Sequence, residues 1–417
     1  MTYRGVAERL RGSAAWCVAL LGLTIPISTA ADNVLLGLSV AAWLAALPIY
    51  FGQWWKPLAH LPALAIAAVL FGAMLAGTLH SLVPWNEAVS FAFKYVELFL
   101  ISVMLWAVVS QTTRRRALSF FLIAIVLNLV VSYANANYLS EQLPWLRSSP
   151  HYPIGFKLSV THSIVVSLGA FVCLLLAREA KTLTVRAPLI GLAILCAHNV
   201  VFIVIGRTGY VVLAALLAYF LAGAFRGWRG LAVSLVLVTA LFTAAYHGSG
   251  NFRERADAVA SDLAQWKPGA GDATSVGQRL GYYLTGMRIV ADHPLTGVGT
   301  GAFAQTYAEK VGGTDAVATT NAHNDFVMIG VQIGVPGIVL VLLLYAAIWH
   351  TARNLPTRLE RDLARGVVIT MAISGLFNSV LLDHTEGLLF AWAIALLYSG
   401  RALKESAQPA YAAPRAT

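Results

Sequence analysis

The chain has 417 residues, of which 58% are apolar and 12% are charged. Soluble domains are typically about 45–50% apolar and about 25% charged, so this composition excludes an ordinary soluble domain and equally excludes a disordered chain. The formal net charge of +10 is compatible in principle with nucleic acid, anionic lipid or a polyanionic ligand, and the positions of the charges must decide among them.

Apolar runs follow one another along the chain, and twelve membrane spans of about 20 residues use about 240 residues. Spans are predicted at 13–31, 34–51, 60–79, 90–110, 117–138, 158–177, 187–206, 209–225, 230–246, 325–347, 366–382 and 387–402. The sequence therefore predicts an all-α polytopic membrane protein with about twelve transmembrane helices. We expect nine helices in residues 1–246, one large extramembrane loop at 247–324, three helices in 325–402 and a disordered tail at 403–417.

The orientation follows from Lys and Arg, which are enriched in cytoplasmic connections. Nineteen of the 29 Lys and Arg residues fall in alternate connections, beginning with the N-terminal segment. The other side holds nine, and six of these lie in the large loop, where the rule is weak. Both termini and the tail are therefore predicted to be cytoplasmic, with the large loop on the opposite side. Topology explains most of the basic surplus, so no nucleic-acid partner is expected.

The large loop contains two predicted amphipathic helices. The first covers Asn251–Trp266, with Asn251 as N-cap and Pro268-Gly269 as the stop. The second covers Ser275–Ala291. Its predicted apolar stripe consists of Leu280, Tyr283, Leu284, Met287 and Val290. Such helices lie on the bilayer surface or pack over the helix bundle, and packing is the commoner role. We interpret the glycine-rich Gly297–Gly301 segment that follows as a turn.

Three arginines on the side opposite the cytoplasm are candidate anion ligands. Arg207 lies in the short connection Gly206-Arg207-Thr208-Gly209, where it is either an interfacial lipid anchor or an anion clamp. Arg279 and Arg288 lie about 180° apart on the second loop helix. They therefore do not both point at one small site, and the spacing does not decide between them.

His323 is the main candidate for a general base. It lies in Asn321-Ala322-His323-Asn324-Asp325, at the start of the tenth span. Histidine titrates near neutral pH and takes a proton from a hydroxyl nucleophile, although a lone histidine is more often structural. We expect the following span to bury Asp325, the nearest carboxylate. His384 is the second choice among the histidines on this side.

Weaker candidates for substrate binding lie elsewhere on the same side. Lys94 and Glu97 fall three residues apart in the fourth apolar run, which predicts a mutual ion pair. Arg147 and Lys157 lie in another outside loop and could add positive charge. The chain shows no Cys, His or carboxylate pattern with metal-ligand spacing and no nucleotide-binding glycine loop, so neither a metal nor another cofactor is expected.

The order of the motifs resembles the O-antigen ligase and O-antigen polymerase superfamily. A long loop and Arg279 are followed by His293-Pro294-Leu295-Thr296-Gly297-Val298-Gly299, then by His323-Asn324-Asp325-Phe326 and by Gly334-Val335-Pro336-Gly337. The resemblance covers roughly 207–337, whereas the first six spans agree only in hydropathy. It implies a GT-C-like, metal-independent glycosyltransferase of a Gram-negative inner membrane, with a periplasmic loop and active site.

The resemblance also implies substrates and roles. The donor is a polysaccharide on undecaprenyl diphosphate, and a ligase transfers it to a terminal sugar of lipid A–core. His323 matches the family's essential histidine, and Arg207 and Arg279 match its two functional arginines. Gly206 departs from the serine that the family often has, which a tight turn tolerates. Arg288, Lys94, Arg147 and Asn324 are weaker candidates for substrate binding.

Several alternatives stay open at the level of sequence. We expect inversion at the anomeric carbon, because no credible carboxylate nucleophile accompanies His323. A ligase is preferred, but an O-antigen polymerase and a protein O-oligosaccharyltransferase share the same loop motifs. A twelve-span secondary transporter or lipid flippase is the more distant alternative, and it should carry its ionisable groups near the bilayer midplane. Membrane lipids are expected around a protein that we predict to be a monomer.

Overall fold

The computed structural model describes residues 3–50, 61–108, 110–137, 153–224, 228–266, 274–314 and 316–407. These residues form sixteen α-helices, and they contain no β-strand. The chain is therefore an all-helical polytopic membrane protein, as the composition predicts.

The helices that precede the large loop mostly correspond to the predicted spans. They are α1 (Tyr3–Thr24), α2 (Thr29–Tyr50), α3 (Pro62–Gly77), α4 (Trp85–Ala92), α5 (Glu97–Ala107), α6 (Gln111–Ala136), α7 (Ser159–Glu179), α8 (Leu183–His198), α9 (Arg207–Ala222) and α10 (Trp228–Gly248). Three helices lie in the loop, namely α11 (Gly250–Gln265), α12 (Ser275–Asp292) and α13 (Phe303–Val311). The last three are α14 (Asp325–Thr351), α15 (Arg358–Ser374) and α16 (His384–Ala407).

Each of the twelve predicted spans overlaps a helix, but the helices differ in whether their length and apolar character suit a membrane span. Seven are long and apolar enough, or eight if the bent pair α4 and α5 is one span, within the described part of the chain. The apolar α9 has only 16 residues. Charged side chains occupy the first turns of α1 and α15. The structure thus supports seven or eight spans directly.

Three predicted spans have different bounds in the structure. The eleventh, predicted at 366–382, overlaps a helix that spans Arg358–Ser374. The first prediction, 13–31, is wrong at both ends, because α1 begins at Tyr3 and stops at Thr24, just before Pro26, which cannot continue a helix. The fourth prediction, 90–110, is not one straight helix. A 3-10 turn at Phe93–Tyr95 separates α4 from α5, and the two axes differ by 43°.

The end of the chain also differs from its prediction. The helix α16 continues to Ala407, so the predicted tail at 403–417 starts inside a helix. The rest of that tail lies outside the described residues. All three cysteines are free, and Cys173 and Cys196 are buried, as expected for small core residues.

Both predicted loop helices are present, with different caps and faces. The N-cap of α11 is Ser249, not Asn251, because the Ser249 hydroxyl accepts from the amide of Phe252 at 3.2 Å. On α12 the buried side consists of Gly277, Tyr282, Gly286, Ile289 and Val290. Leu284 and Met287, which the sequence placed in the stripe, are exposed.

The loop helix α12 packs over the helix bundle. An added Cβ at Gly286 would lie 2.3 Å from Val327 Cγ1 on α14, so the two helices approach more closely than a larger residue allows. Of the two roles considered for α12, packing over the bundle is the one that the structure supports.

A break in α14 explains two of the sequence motifs, Gly297–Gly301 and Gly334-Val335-Pro336-Gly337. Backbone at Ile333 and Gly334 leaves the helical conformation, which frees carbonyl groups inside the span. The amides of Val298 and Gly299 donate to the carbonyls of Val331 and Gln332, at 2.9 and 3.0 Å. Unsatisfied carbonyls within a membrane are costly, so the glycine-rich turn completes the broken span. As predicted, Gly297–Gly301 is a turn.

Candidate functional site

His323 lies in the segment that enters α14, and its backbone is strained. Its φ of +49° makes it the one non-glycine residue with positive φ among the described residues. The His323 amide donates to Asn321 Oδ1 at 2.8 Å, and the same oxygen accepts from Ser379 Oγ at 2.7 Å. Left-handed backbone costs a non-glycine residue about 1–2 kcal/mol. Strain of this kind persists where surrounding contacts enforce it, often at functional sites.

The imidazole of His323 is half-buried against aromatic rings. It stacks on Tyr282 with ring centroids 6.1 Å apart, and Tyr307 meets Tyr282 edge-on at 5.7 Å. Burial lowers the pKa of His323 below its usual value, and the positive charge of Arg279 lowers it further. The imidazole is therefore neutral at neutral pH and free to accept a proton.

Tyr283 fixes the position of His323, which the sequence did not reveal. Its hydroxyl lies 2.9 Å from the carbonyl oxygen of His323 and 3.0 Å from that of Leu376. The sequence placed Tyr283 in an apolar stripe, where its ring fits but its hydroxyl has no assigned role. Tyrosine combines an apolar ring with a polar tip, and here the tip joins α12 to two other segments.

Three polar side chains along one face of α12 connect the predicted site residues. Ser275, Arg279 and Tyr283 are spaced by four residues and so follow one another along the helix. At one end Arg207 Nη1 donates to Ser275 Oγ at 3.4 Å. One turn further, Arg279 lies near enough to affect the pKa of His323. This face of α12 thus brings Arg207, Arg279 and His323 together.

Arg288 lies away from this face. It is exposed on α12, whereas Arg279 is partly buried beside His323. Arg279 and Arg288 are nine residues apart, and this spacing puts them on opposite faces of a helix, as the structure has them. The spacing left a choice between the two arginines, and the structure brings Arg279 to the histidine.

Close packing holds Arg207 at the start of α9. An added Cβ at Gly206 would lie 2.4 Å from Ser163 Oγ on α7. The φ of Gly206 is −144°, so contact with α7, not the tight turn that we predicted, explains this glycine. The side-chain hydroxyl of Thr208, which follows Arg207, accepts from Asn378 Nδ2 at 3.0 Å. The segment between α15 and α16 therefore contacts both the arginine end of α9 and the His323 segment.

The weaker candidates are placed differently. The predicted ion pair between Lys94 and Glu97 is wrong, because Glu97 Oε1 contacts His384 Nδ1 at 2.8 Å. Lys94 is exposed, with Nζ 4.8 Å from the centre of the Phe91 ring. The 3-10 turn between α4 and α5 breaks the helical spacing on which the prediction relied. Arg147 lies outside the described residues.

Two residues next to His323 serve the fold. The side-chain oxygen of Asn324 accepts from the amides of Phe326 and Val327 and so caps α14, while Nδ2 donates to Leu376. Asp325 is buried, as predicted, and its Oδ1 accepts from the Leu381 amide at 3.0 Å. Neither side chain is presented to solvent beside the imidazole.

The assembled side chains are a neutral base and two permanent cations. Guanidinium groups bind phosphate oxygens through two parallel hydrogen bonds and are always charged. Among the described residues, no group of three or more His, Cys, Asp or Glu side chains is arranged to hold a metal ion. The arrangement therefore suits proton abstraction beside a bound diphosphate.

Comparison with known proteins agrees with the motif order. Residues 192–342 match the family model described as O-antigen ligase. That segment begins in α8, includes Arg207, the whole large loop and His323, and ends in α14. No match was found among proteins with curated functions. Residues 192–342, less than half of the 417-residue chain, are therefore similar to the O-antigen ligase family domain.

Proposed function

We propose that this protein is an O-antigen ligase, which transfers a polysaccharide from undecaprenyl diphosphate to a terminal sugar of lipid A–core. The observation that carries the proposal is the polar face of α12, which connects Arg207 through Ser275 to Arg279, next to the neutral imidazole of His323. The preference for a ligase over a polymerase rests on the description of the matched family domain.

The proposed reaction is a single displacement. The acceptor hydroxyl attacks the anomeric carbon of the donor, and His323 takes the hydroxyl proton. The bond between the anomeric carbon and the diphosphate oxygen breaks, and its electron pair leaves with the diphosphate. Arg207 and Arg279 stabilise that negative charge, as preorganised cations do in other transferases. One displacement inverts the anomeric carbon.

An apolar cavity supports a lipid-linked donor. It has a volume of about 370 Å³ and lies between α7, α8, α9 and α10, with His198 as its one charged or titratable lining residue among those described. Leu213 on α9 lines it and follows Arg207 by six residues, which is about 9 Å along a helix. When a diphosphate binds at Arg207, the isoprenoid chain attached to it therefore lies beside this cavity.

The proposed topology puts the active site on the periplasmic side of a Gram-negative inner membrane. Arg207, the loop helices, His323 and the segment between α15 and α16 all lie at the same ends of their neighbouring spans. Most Lys and Arg residues lie at the opposite ends, where the positive-inside rule expects the cytoplasm. Twelve spans and two cytoplasmic termini follow if α1, α9, α15 and α16 also cross the membrane.

A choice of acceptors tests the proposal. The purified protein is incubated with an undecaprenyl-diphosphate polysaccharide and with lipid A–core, a second lipid-linked glycan or a peptide acceptor. We expect glycosylated lipid A–core as the product. Elongation of the lipid-linked glycan would identify a polymerase, and glycosylation of the peptide would identify a protein transferase.

A further inference from the structure

A second cavity, of about 860 Å³, is lined in part by Thr320 and Asn321, which precede His323. It is lined by α2, the bent α4 and α5, α13, the segment at 316–324 and the start of α16. The polar and charged side chains used below are those of Asn33, Lys94, Glu97, Asn321, Asp383 and His384. None of these belongs to the Arg207 and Arg279 cluster.

The chemistry of this cavity differs from that of the arginine cluster. Its described lining contains one lysine and two carboxylates but no arginine, so a diphosphate finds little compensation there. Carboxylate and amide oxygens accept hydrogen bonds from hydroxyl groups, and lysine and amide nitrogens donate to them. Phe91 and Phe93 add apolar surface. A few polar groups on an apolar wall are typical of sites for uncharged polar ligands.

Buried polar atoms at the cavity wall have unused hydrogen-bonding capacity. Glu97 is only 5% exposed, and its Oε1 contacts His384 Nδ1. In the part of the chain that the structure describes, Glu97 Oε2 and His384 Nε2 have no hydrogen-bond partner. Buried polar groups are normally satisfied, so these two adjacent unpaired atoms leave polar capacity in the residues that line this wall of the cavity.

The side chain of Asn321 connects the cavity to His323. Asn321 lines the cavity, and its Oδ1 accepts from the His323 amide at 2.8 Å. The arginines lie on the α12 side of the same segment. In an inverting displacement, the nucleophile and the leaving group occupy opposite sides of the anomeric carbon. A leaving group at the arginines therefore requires the acceptor to come from another side, and this cavity, lined by Asn321 but by neither arginine, is the candidate.

We infer that this cavity binds the saccharide end of the acceptor, as an uncharged oligosaccharide, with Lys94 and Asp383 as ligands of its hydroxyl groups. The inference rests on the proposed function, since it assigns the second substrate of the same reaction. Asn321 then couples occupancy of the cavity to the position of His323.

Steady-state kinetics of the full-length protein test the inference. Lys94→Gln and Asp383→Asn should each raise the KM for the acceptor about tenfold, as expected for the loss of a hydrogen bond to a charged group. The KM for the lipid-linked donor should change less than about twofold. The matched controls are Lys310→Gln and Asp292→Asn, which alter an exposed pair with N–O distance 2.7 Å that does not line the cavity.

Binding without turnover separates the inference from the proposed function. Calorimetric titration of donor-free protein with a lipid-free core oligosaccharide should give an affinity that both cavity variants weaken and both controls preserve. A rise in donor KM alone would assign the cavity to the donor glycan, and unchanged kinetics and binding in both variants would overturn the inference. Failure of the proposed function is a different result, in which the wild-type protein transfers no glycan to any acceptor.

Discussion

The protonation of His323 depends on its neighbour Arg279. Burial is the main cause of the lowered pKa of His323, and the Arg279 charge adds to it. A base must be unprotonated, so a lowered pKa keeps His323 competent to a lower pH and activity is lost as the pH falls through that pKa. The effect of residue 279 on the pKa of His323 can therefore be measured from the pH dependence of activity.

Arg279→Gln removes a positive charge and should raise the pKa of His323. The acid-side half-maximum of kcat/KM, which reports the free enzyme, should then move to higher pH. Arg279→Lys keeps the charge and should leave the half-maximum in place, although its activity falls because an ammonium lacks the guanidinium fork. The exposed Arg288→Gln is the control, and a shift there with none at residue 279 would reverse the assignment.

Arg207 distinguishes phosphate binding from lipid anchoring. Hydrogen bonds to charged groups contribute about 1.5–3 kcal/mol, so Arg207→Lys should lower kcat/KM by about ten- to a hundredfold. The protein should remain folded, because the contact of Arg207 with Ser275 is long at 3.4 Å. An anchor that reaches lipid headgroups needs only a positive charge. Full activity of Arg207→Lys in the transfer assay would therefore favour the anchor.

At the residue scale, the sequence predicted three site residues but not the contacts that position them. Arg207, Arg279 and His323 were singled out by their positions in the sequence and by the motif order, and their roles stay predictions. The role of Tyr283 could not be found in this way, because its hydroxyl contacts carbonyls 40 and 93 residues away. The positive φ of His323 is likewise imposed by Asn321, whose oxygen also accepts from the distant Ser379.

The broken helix α14 and the glycine-rich turn form one structural unit. The amides of Gly299 and Val298 satisfy carbonyls at the break, and in return the Val335 amide donates to the Pro294 carbonyl at 2.8 Å. Gly299 has a φ of +95°, and an added Cβ would lie 2.3 Å from the Ser81 Cα. Only glycine satisfies both the conformation and the close approach at this position.

Gly299→Ala should therefore unfold at a clearly lower temperature than the wild type in detergent. Strain of about 1–2 kcal/mol adds to an overpacking cost of about 1–3 kcal/mol. The control is Gly313→Ala, which shares a positive φ of 79° but has no atom within 4 Å of the added Cβ. Scanning fluorimetry compares the two variants, and equal losses of Tm would contradict the close approach of Gly299 to Ser81.

At the element scale, local sequence signals predicted where helices form, whereas contacts with distant segments determine where helices break. The second loop helix was predicted at 275–291 and spans Ser275–Asp292, because its end signals lie within the segment itself. The breaks at Phe93–Tyr95 and at Ile333–Gly334 were not predicted. An apolar run looks continuous in hydropathy, whereas a break depends on which segment satisfies the freed backbone groups.

The whole molecule contains an apolar cavity between α7, α8, α9 and α10, which we propose for the donor lipid, and a second cavity that Asn321 lines. The apolar cavity is lined by Ala197 on α8. Ala197→Phe should fill part of the 370 Å³ volume and raise the KM for an undecaprenyl-linked donor several-fold. The effect should be smaller for a donor with a short isoprenoid chain, which needs less of the cavity.

Ala240→Phe is the matched control for the cavity. Ala240 is exposed on the neighbouring α10 and does not line the cavity. It should leave the KM values of long-chain and short-chain donors unchanged. Equal effects of the two substitutions would show that added bulk on these helices, not a lipid site, changes the kinetics.

At the scale of the molecule, composition and the apolar runs predicted an all-helical membrane protein, which the structure confirms, whereas the orientation inferred from charge stays a prediction. The arrangement of helices around His323 was beyond the sequence, since Arg207 contacts Ser275 and Asn321 contacts Ser379 across long separations along the chain. Without that arrangement the three site residues were separate candidates, each with a structural alternative.

The most direct test of the central claim is single-turnover glycan transfer from undecaprenyl diphosphate to lipid A–core in the presence of EDTA. The wild-type protein should form the product, and His323→Asn should reduce the rate by at least about a hundredfold. Asparagine is the appropriate substitute, because it tolerates the left-handed backbone that His323 adopts. Undiminished transfer by His323→Asn, or a requirement of the wild type for a divalent cation, would contradict a metal-independent transfer with His323 as the base.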